Sequence, residues 1–386
     1  MPAQDAQHLM RTTQHALDDL NDFSSHHLRL VLADSVRNKS RLRTGEHGSI
    51  QQEQEDIAMT INLVSDGSGP TPRADLHAYE PTMDVYYTPN QIPSSSSTGS
   101  PLASFIANEL QRTFDEEQSV LAFSMAQTSW QPAHLKRITQ EMVDSLGKRK
   151  TRSFKYAPTY HLTFSLFTPT ATPSDWDIEA ALNDYLTPLL KSLSAVSNFT
   201  VDTQVQLYAT LSPSIAGPQW NGFRQMWTLN KEDLGGFINA AEWPLSPSIG
   251  DGPTINFILY VPSAEQSPLV LNENSGTSWL IPQWGGVQIL NLPSEGRNNR
   301  LEKADLENAM RTFSDQLTSL LGLPMGPRSF PLRIATLTRV HAASLMYSAS
   351  DTLGAIARLT QSLSSIAIPD TVARDVQQTM AHLDDA

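Results

Sequence analysis

The sequence predicts an α/β (α+β) fold: a mixed, mostly antiparallel sheet of six or more strands, flanked by helices on both faces, with long C-terminal helices. Three observations predict it. Segments such as TYHLTFSLFTP (159–169) and NFTVDTQVQLYATL (198–211) alternate apolar and polar residues with the period of two that a strand requires. The run TINFILYVPS (254–263) is almost continuously apolar, as in a central strand covered on both faces. After residue 300, apolar residues recur at spacings of three and four, the stripe of an amphipathic helix. The expected organisation is one large domain over 1–386, with flexible linkers at 66–82 and 91–100 and a C-terminal helical segment at 331–386.

Taken in order, residues 1–27 read as polar and only partly ordered. HHLRLVLADS (26–35), DIAMTINLVSD (56–66) and MDVYYTP (83–89) read as strands, separated by a charged loop and by the turn-rich DGSGPTPRADLHAYEPT (66–82). QIPSSSSTGSP (91–101) is Ser-rich low-complexity sequence. Ser100 before Pro101 is a helix-start signal, a hydroxyl cap followed by Pro at the first helical position, for a helix to about residue 126. A second helix is expected over 134–147, stopping at Gly147, with KRKTR (148–152) as its solvated, dipole-matching end. Strand 159–169 follows. Ser174 is expected to cap a helix with Asp175 and Asp177 in its first turn, kinked or restarted at Pro188. Then come strand 198–211, a short helix weakened by Gly235 and Gly236, strand 254–263, and short strands at 268–273, 278–282 and 286–291. The tail reads as a helix through Leu306 to Leu320, a long helix opened by Pro331, a break at Pro369 and a last helix over 370–384.

Composition narrows the function classes. The chain has 386 residues, 39% of them hydrophobic, enough to bury a core without staples. Its net charge of −13 opposes the approach of phosphate backbones, so nucleic acid is excluded as a partner. With no cysteine there is no disulfide, thiolate nucleophile, Fe–S cluster or Cys-ligated zinc. No window of about 18 apolar residues is available to span a bilayer, and MPAQDAQHLM lacks the basic and apolar regions of a signal peptide. Any targeting or membrane segments are therefore expected outside this stretch.

A search for chemistry returns little. The ten histidines form no HExxH or HxH, and there is no GxSxG elbow and no phosphate-cradling glycine loop. No catalytic, metal or cofactor-binding residues are expected, and no cofactor. A Ser–His–acid triad assembled in space, making the chain a hydrolase or peptidase-like enzyme, is the alternative reading. Two sequons, Asn38-Lys39-Ser40 and Asn198-Phe199-Thr200, offer glycosylation sites. IPQWGGVQILN (281–291) sets Trp284 beside Gly285 and Gly286. It reads as a strand bulge whose ring covers the edge left bare by the glycines, or as an anchor presented to a partner.

Three ordered stretches carry a resemblance. FSLFTPTATPSDWDIEAALNDYLTPLLKSLSAVSNFTVDTQVQLYATL (164–211) is similar to the middle of the PIG-S family, subunits of the GPI transamidase complex. PTINFILYVPSAEQSPLVL (253–271) and PQWGGVQILN (282–291) resemble its next two signatures in order and spacing. The similarity is strong over about 160–370 and collinear, though weaker, from about 26 to 159. The resemblance implies the luminal region of a fungal-like family member: an accessory, non-catalytic, scaffolding subunit at the luminal side of the endoplasmic reticulum membrane. It supports attachment of GPI anchors to proproteins by touching the other transamidase subunits, and the GPI lipid or proprotein only indirectly. Family members carry a membrane helix near each end. Both are missing here, so this chain is expected to be a soluble fragment of a membrane-anchored protein. The family sequon falls at Asn198.

Overall fold

The computed structural model describes residues 2–21, 26–33, 57–66, 71–93, 99–126, 139–209, 216–237, 252–273, 275–293, 299–326, 329–362 and 369–384. In chain order the elements are α1 (Ala3–Leu20), β1 (Thr60–Ser65), β2 (Arg73–Leu76), β3 (Thr82–Tyr87), α2 (Pro101–Ala126), α3 (Gln140–Arg152), β4 (Thr159–Phe167), β5 (Asp175–Trp176), α4 (Ile178–Ala181), a π turn (Leu182–Leu186), α5 (Thr187–Leu193), β6 (Asn198–Gln206), β7 (Gln219–Asn221), β8 (Met226–Leu229), a 3-10 turn (Lys231–Phe237), β9 (Thr254–Tyr260), β10 (Leu269–Leu271), β11 (Ser278–Ile281), β12 (Gly285–Ile289), β13 (Arg300–Leu301), α6 (Lys303–Leu320), α7 (Phe330–Ser362) and α8 (Asp370–Asp384). Helices and mixed sheets with C-terminal helices make this the expected α/β class. Packing divides the chain into two compact units, residues 1–146 with 324–386, and residues 147–323.

The first unit is built around β3, parallel to β1 on one side and antiparallel to β2 on the other. Alternation in TMDVYY buries Met83, Val85 and Tyr87 against Leu9 and Leu17 of α1 and Leu102, Ile106 and Leu110 of α2. Of the N-terminal segment expected to be partly ordered, Ala3–Leu20 is therefore helical. Its polar look conceals a stripe of Leu9, Thr12, Thr13 and Leu17, buried at helical spacing. The strand expected at 26–35 is absent over its described part. Gln14 captures its backbone instead, donating to the Leu28 carbonyl and accepting from the Leu30 N–H. The turn-rich stretch 66–82 contains β2, whose hydrogen bonds to β3 override its Gly and Pro content. Ser100 caps α2 as its sequence predicts, its hydroxyl accepting from the Ala103 N–H.

Glu117 is the most enclosed charge among the first unit's described residues. It lies in α2, only 2% exposed, and accepts from Arg339 Nε and Nη2 at 2.6 Å each and from the Thr336 hydroxyl at 2.7 Å, with His26 Nε2 at 3.3 Å. Burial alone would push its carboxyl up. The Arg339 and His26 hydrogen bonds, the Arg339 charge and the Thr336 bond outweigh burial and hold it at about 2. The same side chains fix the start of α7 against α2. Leu332, Ile334, Thr336 and Leu337 are buried there, whereas Leu345 and Leu359 farther along are exposed.

The second unit holds a five-stranded sheet in the order β11-β12-β9-β4-β6. β12, β9, β4 and β6 are mutually parallel and only β11 is antiparallel, so the sheet is mostly parallel where a mostly antiparallel one of six or more strands was expected. The reason lies between β4 and β6. The helical run α4–π–α5 joins them, and such a crossover returns the chain in the same direction. β4 and β9 sit centrally and are buried on both faces. On one face Phe164 stacks on Phe257 at 5.1 Å and both meet Phe313 of α6. The opposite face is covered by Leu229, Leu269 and Leu271 of the small sheet β10-β8-β7 and by Leu234 of the 3-10 turn, where helices were expected on both faces.

Two helix boundaries also differ from expectation. α3 runs through Gly147 to Arg152, because Gly costs a helix only about 1 kcal/mol and Arg149, in its last turn, donates to the Gly322 carbonyl. Ser174 does not cap a helix. Asp175–Trp176 pairs with β13, and the helix begins at Ile178 with Asp177 in the capping position. Pro188 brings no N–H to the helix, and the preceding turn widens into the π turn, where the Thr187 hydroxyl donates to the Leu182 carbonyl.

Candidate functional site

The Trp-Gly-Gly stretch is a hairpin turn and not a bulge. Residues 282–284 join antiparallel β11 and β12, with Ile281 opposite Gly285, and the Trp284 N–H donates to the Ile281 carbonyl at 3.2 Å. Gln283 sits at φ +53° and ties the turn to the end of α3, its N–H donating to the Arg152 carbonyl and its side chain to that of Thr151. Both glycines are required by close approach. A Cβ on Gly285 would overlap the Asn256 carbonyl of β9, and one on Gly286 would overlap the Gln316 amide of α6. Gln316 spans the gap by donating to the Trp279 carbonyl at 3.0 Å. Trp284 is half-buried and packs on the core formed by residues such as Phe167, Ile258 and Tyr260.

Asn198, the first residue of β6, is exposed, as a glycan acceptor must be; Asn38 lies outside the described residues. His26 faces Glu117, His77 faces Asp84 and Glu80, and His161 shares a hydrogen bond with the Thr200 hydroxyl. None of these three bridges an acid to a hydroxyl, so the spatial-triad reading has no support here. Among the described residues no group of three or more His, Cys, Asp or Glu is placed to hold a metal, and no described helix is long and apolar enough to cross a membrane.

A feature missed in the sequence is an aromatic hairpin. β7 and β8 pair antiparallel, with Trp220 edge-on to Trp227. The loop between them carries Phe223 at 98% exposure. Asn221 Oδ1 accepts from the Phe223 and Arg224 N–H groups, and Arg224 reaches the Asn272 carbonyl and the Ser275 hydroxyl, so the tip is held in shape. The Asn221-Gly222 dipeptide is the signal that would have found it.

A family model for phosphatidylinositol-glycan biosynthesis class S protein, PIG-S, matches residues 1–386. The chain belongs to the PIG-S family. It is 31% identical over 264 residues to the GPI-anchor transamidase component PIGS of Bos taurus, covering 62% of this chain and 47% of that protein. It is 32% identical over 244 residues to the GPI transamidase component PIG-S homolog of Schizosaccharomyces pombe (60% and 43%), and 27% identical over 243 residues to the GPI transamidase component GPI17 of Saccharomyces cerevisiae (59% and 44%). The chain spans about half the length of the curated relatives it matches. Within this PIG-S family member, the hairpin at Trp284 and the crossover from β4 to β6 carry two of the three stretches on which the resemblance rests.

Proposed function

We propose that this chain is the luminal part of an accessory subunit of the GPI transamidase. It supports GPI-anchor attachment to proproteins by contact with the other subunits, at the endoplasmic reticulum membrane, without catalysing the transfer. The observation that carries this reading is membership of PIG-S, whose curated relatives are named as transamidase components. Two features are consistent with it. A chain without cysteine supplies no thiol for a thioester intermediate. The exposed, pre-shaped Phe223 tip and the outer edge of Trp284 are aromatic surfaces of the type enriched where proteins meet.

The test uses the full-length, membrane-anchored protein. Purified in detergent, it is expected to bring down the other transamidase subunits, and its loss is expected to deplete GPI-anchored proteins from the cell surface. Transamidation by the isolated protein, abolished by changing one of its own side chains, would overturn the reading. A second expectation follows from a luminal location. Asn198 carries a glycan, so Asn198→Gln should remove one glycosidase-sensitive increment of mass, and an unchanged mass would show that this sequon carries none.

A further inference from the structure

β6 is the edge of the five-stranded sheet. It pairs with β4 in unbroken register over nine residues, from Asn198 opposite Thr159 to Gln206 opposite Phe167. The Asn198 N–H donates to the Pro158 carbonyl, and the Gln206 carbonyl accepts from Thr168. These bonds set the phase. Residues 198, 200, 202, 204 and 206 turn their backbone groups toward β4, so Phe199, Val201, Thr203 and Val205 turn theirs outward. No described residue takes up those outward groups.

Sheet proteins guard such edges with Lys, Pro, a bulge or a covering element. NFTVDTQVQ contains no Lys, Arg or Pro, its pairing shows no bulge, and Val201 and Val205 are 38% and 37% exposed. From Phe199 onward, beyond the proposed Asn198 glycan, no described residue covers this edge, and an edge of this length is a template for another strand.

We propose that β6 is a docking edge, to which an extended segment of a partner transamidase subunit adds as a sixth strand. The inference rests on the accessory-subunit reading and names the surface that would perform it. Alternation specifies the segment's chemistry. The side lying beside Val201 and Val205 carries apolar, β-branched residues. The side lying beside Asp202, the strand's one charge, carries Lys or Arg. A lipid offers no ladder of amides. A second copy offers Asp202 no cation from β6 and adds another net charge of −13.

The experiment measures amide hydrogen exchange at single-residue level in the full-length protein, alone and within the purified complex. The amides of Phe199, Val201, Thr203 and Val205 are expected to slow at least tenfold on assembly, while those of Thr200, Asp202 and Gln204 change little. Equal rates in both states overturn the proposal. Thr203→Pro deletes an outward donor without touching the bonds to β4, and Val201→Lys with Val205→Lys blocks the edge through side chains alone. Either is expected to cut recovery of the partner subunits at least tenfold while the thermal midpoint stays within a few degrees. Folded variants that retain every subunit sink the docking edge and leave the proposed function standing. A wild-type protein that recovers no subunit sinks both. A dimer of the isolated chain that the double Lys variant makes monomeric assigns the edge to a second copy and overturns the partner-subunit assignment.

Discussion

Arg339→Ala is expected to lower the stability of the first unit by about 3–5 kcal/mol, read as a shift in the urea midpoint at neutral pH. The size follows from what is left behind. Glu117 is 2% exposed, and removing the guanidinium strips two of its four polar contacts and its compensating charge. A buried carboxylate without its partner costs far more than the intact pair contributed. Arg339→Lys restores the charge but not the two-pronged geometry and should recover part of the loss. Replacing Glu117 and Arg339 together by leucine should cost less than Arg339→Ala alone, because no charge is then stranded. If the single and double variants lose the same stability, the pair is not coupled as described.

The same carboxylate sets a pH dependence. Glu117 is held at about 2, below its ordinary 4.5. A depressed acid contributes stability that is fully present above the unfolded value and lost as pH falls through the folded one. The wild type should therefore lose about 3 kcal/mol between pH 4.5 and 2 from this group. Glu117→Gln should flatten that part of the acid-unfolding curve, and a slope identical to wild type would contradict the assignment.

Gly285→Ala is expected to cost about 3 kcal/mol or more, since its methyl group would occupy the position of the Asn256 carbonyl oxygen in the neighbouring central strand. Backbone in a paired strand has nowhere to retreat, so the change must spread β9 from β12. Gly286→Ala is expected to cost less, about 1–2 kcal/mol, because its obstacle is the Gln316 side chain, which can swing away at the loss of its bond to Trp279. Equal effects at the two positions would show that the local packing is not what distinguishes them. Thermal or urea melts of the three proteins decide it.

Much of the local structure was legible in the sequence. Ser100-Pro101 starts α2, Pro331 lies at the start of α7, Pro369 directly precedes α8, and the apolar run at 254–260 is the doubly covered β9. Each depends on residues a few positions apart, where capping, ring closure and burial act locally. The three ordered stretches likewise sufficed to place the chain in its family. Other features had no local signature. Glu117 and Arg339 are separated by most of the chain, and nothing in either neighbourhood announces the pair. The WGG sequence announced a tight approach but not that Asn256 and Gln316 are what approach it.

Sequence by itself determined most of the helices and strands, such as α2, β4, β9 and α6, and which family they compose, because periodicity and capping are short-range properties of the chain. Only the tertiary structure decided that β4, β6, β9 and β12 run parallel, that α6 covers one face of the sheet and a second sheet the other, and that β6 is the sheet's edge among the described residues. A strand's pattern states how many of its faces are buried. It does not name the neighbour, since backbone hydrogen bonds are chemically the same whichever strand supplies them.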